Sequence, residues 1–284
     1  MSDAVPNERT VLITGATDGL GRALALNLAA EGVRLVVHGR DRGRLERLSS
    51  ELAGAGGPAP VTVCADLALL AQVRQLAQEV RDRVARIDVI VSNAGIGPVG
   101  PDGPQRRVSA DGYELRFAVN YLAGFDLTLR LLPLLAESHD ARIVYVASIG
   151  QHPVDFGDVM IERDYTPARA YGQSKLAQIT SGFMLADRLR RRGIAVNSLH
   201  PATNMPTKMV LTSMPEGVDT LEEGEAATRR LVNDATLAGV TGRFFDHMTE
   251  SRAHASAYDP TVQQRLWQVS LVLTGAPDPA ESLA

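Results

Sequence analysis

The sequence predicts an α/β fold, a doubly wound and mostly parallel sheet with helices on both faces. Three observations carry this expectation. Short β-branched runs alternate with longer stretches whose apolar residues recur at helical spacing, a β-α-β-α rhythm that implies right-handed crossovers. The candidate strands are continuously apolar, as strands are when a sheet is covered on both faces. Neither a repeat nor a long linker interrupts the 284 residues, so a single domain over 1–284 is the simplest organisation.

The elements follow in order. TVLIT (10–14) is the first strand. After Leu20, a helix is marked by Leu24 and Leu28, with Arg22, Asn27 and Glu31 between them. VRLVVH (33–38) is the second strand, followed by a charged helix with Leu45, Leu48 and Leu52 on one stripe. PVTVC (60–64) is the third, and a helix runs from about Leu70 to Val84. IDVIVSNAG (87–95) and ARIVYVAS (141–148) are the fourth and fifth strands. A long helix from about Ala168 to Arg192 carries Leu176, Ile179, Phe183 and Ala186 on its apolar face. IAVNSLHP (194–201) is the sixth strand and GRFFD (242–246) the candidate seventh.

Composition narrows the function. With 45% hydrophobic residues the chain has the make-up of a soluble protein with a sizeable core. A net charge of −4 argues against a nucleic-acid partner. The polar N-terminus has no signal core and no run of eighteen apolar residues appears, so no membrane partner is expected and the location expected is cytoplasmic. A lone cysteine, Cys64, excludes an internal disulfide and fits a reducing compartment; its strand context predicts a core thiol. The six histidines are scattered, and neither zinc-type spacing nor HExxH occurs, so no metal is expected.

Glycines punctuate the first β-α junction. In TGATDGLG (14–21), Gly15, Gly19 and Gly21 stand between a strand and a helix. Glycine there permits a tight turn and a close approach of the backbone to a ligand. The helix N-terminus behind it offers free N–H groups to a pyrophosphate. The spacing is G-x-x-x-G-x-G, weak alone and informative in this strand–turn–helix context. At the end of the second strand, where the cofactor ribose is read, HGRD has Arg40 and no carboxylate at His38 or Gly39. A guanidinium binds a 2′-phosphate bidentately, which favours NADP(H) over NAD(H). Asp41 next door weakens that contrast. Further along, Tyr171 and Lys175 lie four residues apart, on one face of a helix.

The ordered set of motifs resembles the short-chain dehydrogenase/reductase family over roughly residues 9 to 205. It comprises TGATDGLG, CADL (64–67), NAG (93–95), Asn120 in FAVNYLAGF, Ser148 in VYVAS, Tyr171-x-x-x-Lys175, and HPAT (200–203). The resemblance implies a Rossmann-type fold with seven strands. It implies cofactor contacts from Gly15, Thr17, Asp18, Gly19, Leu20 and Gly21 in the turn, and from Arg40. Asp66 and Leu67 would lie at the adenine, Asn93, Ala94 and Gly95 along the trough, and Pro201 and Thr203 past the sixth strand. It also implies catalysis by Ser148, Tyr171, Lys175 and Asn120. Taken singly, each of these has a plainer reading: a core tyrosine, a solvated lysine, a turn serine, an exposed asparagine.

The implied chemistry is reversible reduction of a carbonyl. A free tyrosine has a pKa of roughly 10. A neighbouring ammonium lowers it, so that the phenol exchanges a proton with the developing alkoxide. Lys175 would also hold the nicotinamide ribose. Ser148 would donate to the carbonyl oxygen, alone, since Ala147 stands where many relatives carry a second serine. Asn120 would distort its helix and support a water relay. The 149–168 segment resembles the longer loop of the retinol-dehydrogenase-like and WW-domain-oxidoreductase-like branch. Its Asp155, Asp158, Glu162 and Asp164 lack a calcium pattern and are expected to be solvated. Pro201-Ala202 replaces the usual Pro-Gly. A substrate lid is expected at about 202–225, where Met205, Met209, Leu211 and Met214 would suit either a bulky apolar ketone or aldehyde or a packed surface helix. The same scaffold also serves imine reduction and redox-neutral dehydration or isomerisation, and a cofactor-sensing regulator is the non-enzyme alternative. Homodimer and homotetramer both stay open.

Overall fold

Every apolar run named above becomes a strand. The computed structural model describes residues 9–99, 103–207 and 217–283. In it β1 is Thr10–Ile13, β2 Arg34–Gly39, β3 Val61–Cys64, β4 Val89–Ser92, β5 Arg142–Val146, β6 Ala195–His200 and β7 Arg243–Asp246. An eighth strand, β8 (Thr249–Ser251), corrects the expected count of seven: the chain turns at His247 and pairs back antiparallel on β7. Strand order is β3-β2-β1-β4-β5-β6-β7-β8, and all other pairings are parallel.

The helices are α1 (Gly19–Ala30), α2 (Arg42–Gly54), α3 (Leu70–Arg83), α4 (Ala123–Ala136), α5 (Pro167–Leu189), α6 (Leu221–Asn233), α7 (Pro260–Thr274) and the short α8 (Pro279–Ser282). A π-helical stretch, Phe117–Leu122, leads into α4. Alternate strand residues face opposite layers. Val11 and Ile13 pack with α1, α2 and α6. Leu12, Val36 and Val63 pack with α3, α4 and α5. This is the doubly wound arrangement. Because β2 and β4 leave β1 on opposite sides, a crevice opens at the carboxyl ends of β1 and β4, where such folds bind ligands.

Two expectations change. Cys64 is exposed, not a core thiol: β3 is the edge strand and its last residue faces outward. The stretch Phe117–Ala136 is long and apolar enough to cross a membrane by length and composition, which a count of uninterrupted apolar runs overlooked. In the fold 78% of its most apolar window is buried, where α4 packs against α3 and the sheet.

Candidate active site

Sterics fix the glycine turn at the head of the crevice. Gly15 holds φ 66°, and a Cβ there would lie 2.9 Å from Ala94 Cα. A Cβ on Gly21 would run into Gly15 O and Asn93 Nδ2. Asn93, expected to line the trough, also braces the turn: its Nδ2 donates to Thr14 O at 2.8 Å and Gly15 O at 3.2 Å. Thr14 Oγ1 accepts from the amides of Asn93 and Ala94, each at 3.0 Å. Asp18 caps α1 by accepting from the Gly19 amide at 2.8 Å, while Leu20 packs into the core. His38, unassigned from sequence, is buried behind the turn. Its Nδ1 accepts from the Gly15 amide at 3.3 Å and its Nε2 lies 3.0 Å from Ala65 O.

The end of β2 is open and cationic. Thr17, Arg40, Asp41 and Arg44 line a recess of about 150 Å³. Asp41 is engaged: its Oδ1 caps α2 by accepting from the Arg44 amide at 2.9 Å. Arg44 leans on Asp18 at 3.2 Å. Asp66 and Leu67 follow β3 alongside; Asp66 Oδ1 accepts from the Ala68 amide at 2.9 Å. The glycine turn is closed to side chains by its own neighbours, and the guanidinium groups lining the recess at the end of β2 are a donor set that suits a phosphate.

The remaining residues gather at the carboxyl ends of β4 and β5 and the first turns of α5. Thr166 caps α5 and Pro167 begins it, which sets Tyr171 and Lys175 one turn apart. Ser148 is buried just past β5, its Oγ accepting from the Gly150 amide at 3.0 Å. Lys175 Nζ donates to Val146 O at 2.7 Å and lies 5.9 Å from the centre of the Tyr171 ring. Asn120 is buried in the π-helical stretch. Its Oδ1 accepts from the Ile96 amide at 2.8 Å, and its Nδ2 donates to Ile96 O at 3.1 Å and Ser174 Oγ at 3.0 Å. Between them sits Gly95, where a Cβ would be 3.2 Å from Asn120 Oδ1 and 3.6 Å from Lys175 Nζ. Pro201 is buried and Thr203 half-buried past β6.

The electrostatics correct the expected tuning. Burial pushes the Tyr171 phenol above its usual range, and the Ser148 hydroxyl offsets this only in part. Burial lowers Lys175 to about 8. Desolvation is the larger cause, and it favours the neutral phenol.

Residues 9–216 match the profile of the short chain dehydrogenase family. The chain belongs to that family. It is 35% identical to retinol dehydrogenase 14 of Mus musculus, covering 94% of this chain and 86% of that one. It is also 35% identical to a Streptomyces sp. (strain C5) protein named as a candidate daunorubicin C-13 ketoreductase, over 94% and 93% of the two chains. The solved Pseudomonas aeruginosa RhlG/NADP active-site complex superposes with a TM-score of 0.66 at 26% identity, covering 84% of this chain and 94% of that one. This short chain dehydrogenase is therefore an oxidoreductase acting on CH–OH and C=O groups, of the retinol-dehydrogenase-like branch.

Several parts of this short chain dehydrogenase were not legible from motifs. Arg116, only 2% exposed, donates to Gly97 O, Pro98 O and Tyr165 Oη and pairs with buried Glu114 at 3.4 Å. It thereby joins the segment after Gly95 to the 149–168 loop. Of that loop's four acids Glu162 and Asp164 are exposed, as expected, while the other two fasten turns: Asp155 accepts from the Gly157 amide and Arg169, and Asp158 from the amides of Glu162 and Arg163. The histidines are not all scattered: His200 and His247 meet beside Asp246 and Asp219. Much of the expected lid, with Met209, Leu211 and Met214, lies outside the described residues. Met205 packs with the α1–α6 core, its sulfur against Gly224.

Proposed function

We propose that this chain is an NADP(H)-dependent carbonyl reductase acting reversibly on a fairly bulky apolar ketone or aldehyde. The observation that carries the reading is the convergence of Ser148, Tyr171 and Lys175 at the carboxyl end of β5, with Asn120 behind them. A bound nicotinamide supplies the hydride exchanged with the carbonyl carbon. Ser148 Oγ–H donates to the carbonyl oxygen and stabilises the charge that develops there. Tyr171 delivers the proton; a phenol kept protonated by burial is in the form that reduction requires. Lys175, with its pKa brought down to about 8, is the next proton store, and Asn120 and Gly95 line its approach.

The choice of NADP(H) is supported by the recess lined by Arg40 and Arg44, and by the engagement of Asp41 as a helix cap. Apolar substrates are supported by the names of the relatives, a retinol dehydrogenase and a daunorubicin ketoreductase candidate. The reading treats 1–284 as one domain, the lid included, which the unbroken eight-stranded sheet supports.

The test is a screen of ketones and aldehydes of graded size, following NADPH and NADH oxidation separately, repeated with Tyr171→Phe. Removing the proton donor is expected to cut turnover by about 10²–10⁴-fold or more. The NADPH dissociation constant should stay within about twofold, because the phenol is not a charge the cofactor needs. Turnover retained in Tyr171→Phe would sink the assignment, and preferential use of NADH would sink the role of Arg40.

A further inference from the structure

A closed ring of polar contacts, outside the catalytic set, ties the residues after β6 to the β7–β8 turn. His200 Nε2 meets Thr203 Oγ1 at 3.0 Å. The Thr203 amide donates to Asp219 Oδ2. The same carboxylate oxygen faces His247 Nε2 at 2.7 Å, and His247 Nδ1 faces Asp246 Oδ1 at 2.8 Å. The ring closes on itself: the His247 amide donates to His200 O at 2.8 Å, and the two imidazoles meet edge to face at 5.3 Å. The Asp219 amide also donates to Thr203 O at 3.0 Å.

His247 sits in the left-handed region at φ 54°, where a non-glycine residue is strained. Glycine would relieve the strain and forfeit the ring, so the side chain is what the position uses. A carboxylate has no proton to give, so an imidazole facing one at each nitrogen donates from both. The hydrogen bond to Asp219, opposed by burial and aided by Asp246, raises the His247 pKa above its usual 6.5. Asp219 is lowered, by His247 first and then by the Thr203 amide. His200, behind them, is lowered by burial, with Asp246 and Asp219 acting upward and His247 and Lys175 downward. From α6, Arg230 donates to Met248 O in the same turn. With both His247 nitrogens and His200 Nε2 facing protein oxygens, the cluster is a proton-bridged clasp.

We propose that His247 is a positioning residue for the cofactor loop: by bridging Asp246 to Asp219 it fixes the carboxylate that holds the Thr203 amide, and so sets how residues 201–203 meet the nicotinamide end of the cofactor. This rests on the NADP(H) reading above. Its pH sense follows from the two donors. Below the raised pKa both N–H groups are present. As pH rises through it, one is lost and a nitrogen lone pair faces a carboxylate. Cofactor affinity therefore holds below the raised His247 pKa and falls as pH rises through it.

The full chain can be tested without a known substrate. In ¹⁵N spectra of the imidazoles, His247 should keep both ring nitrogens protonated to a higher pH than an ordinary histidine. NADPH titration by fluorescence across pH should show affinity falling over the same range. His247→Phe should weaken NADPH by about tenfold, the scale of one charge-assisted hydrogen bond, and should flatten the pH profile. Asp219→Ala added to His247→Phe should cost less than the sum of the two single effects, since both act on the carboxylate that holds the Thr203 amide. His247→Gln, which keeps one donor, should fall between. Once a substrate is in hand, KM for NADPH should rise far more than kcat falls. A role confined to stability would lower the melting temperature and leave the pH profile in place. A His247 ring that titrates at or below the ordinary 6.5, an unchanged profile in His247→Phe, or full additivity with Asp219→Ala would each overturn the proposal. If His247→Phe does not fold, Asp246→Asn with His247→Gln gives the same comparison. Absence of NADPH binding in the unaltered chain would sink the functional reading instead, while the ring spectra would still report on the clasp.

Discussion

His38 illustrates how one side chain couples the glycine turn to the sheet. Because the Gly15 amide donates to Nδ1, the ring proton belongs on Nε2, from where it reaches Ala65 O. Burial lowers its pKa, against the upward pull of Ala65 O and Asp66. The sign of the linkage follows: in the unfolded chain the ring takes up a proton near 6.5, and in the fold only at lower pH. Stability referred to neutral pH is present above about 6.5 and declines as pH falls towards the lowered value. Urea melts over a pH series should show that acid-side loss. His38→Leu should flatten this component while lowering neutral stability by about 1–3 kcal/mol through an unpaired buried amide. None of this was legible. Tyr171, Lys175 and the glycines announce themselves by short spacing, whereas the partners of His38 sit just past two other strands, and those of His247 reach back as far as His200.

At the scale of elements, the 149–168 loop is a built wall of the site. Arg106 donates to the carbonyls of Met160 and Ile161, and Gln173 Nε2 to Val159 O at 2.8 Å. Ile161, β-branched and buried, is held at φ 46°, a strained conformation that persists only where surrounding contacts over-determine it. Arg116 adds a further fastening, through the Tyr165 hydroxyl. Arg116→Ala leaves Glu114 buried without its cation and is expected to cost about 3–5 kcal/mol. Hydrogen exchange should quicken together at residues 96–98 and 159–166; quickening confined to one of them would refute the joint anchoring. The loop's length was legible as an insertion, its order was not, because the residues that fasten it belong to a different segment. Strand existence was read well and strand ends less well: β4 stops at Ser92 since the Asn93 amide turns back to Val91 O.

Across the whole molecule, the C-terminal third departs most from what the sequence announced. α6, α7, α8 and β8 carry no motif, and their apolar residues are spaced among polar ones. Yet Trp267 on α7 is 1% exposed. It meets Phe125 edge-on at 5.0 Å, continuing a row through Tyr121 to Phe117, three residues before Asn120. Trp267→Ala should lower unfolding free energy by about 3–5 kcal/mol in urea titrations; a loss below about 1 kcal/mol, the scale of a surface change, would show α7 to be peripheral. α7 also packs along α5, so the C-terminal third covers one face of that helix.

The exposed position of Cys64 gives the molecule a single chemical handle. It is the chain's one thiol, it stands on the outer edge of the sheet, and it lies two residues before Asp66. A maleimide dye attached there under native conditions would occupy one defined address, beside the proposed adenine end of the cofactor and away from Ser148 and Tyr171. Occupancy and chemistry could then be watched by separate signals in the same sample.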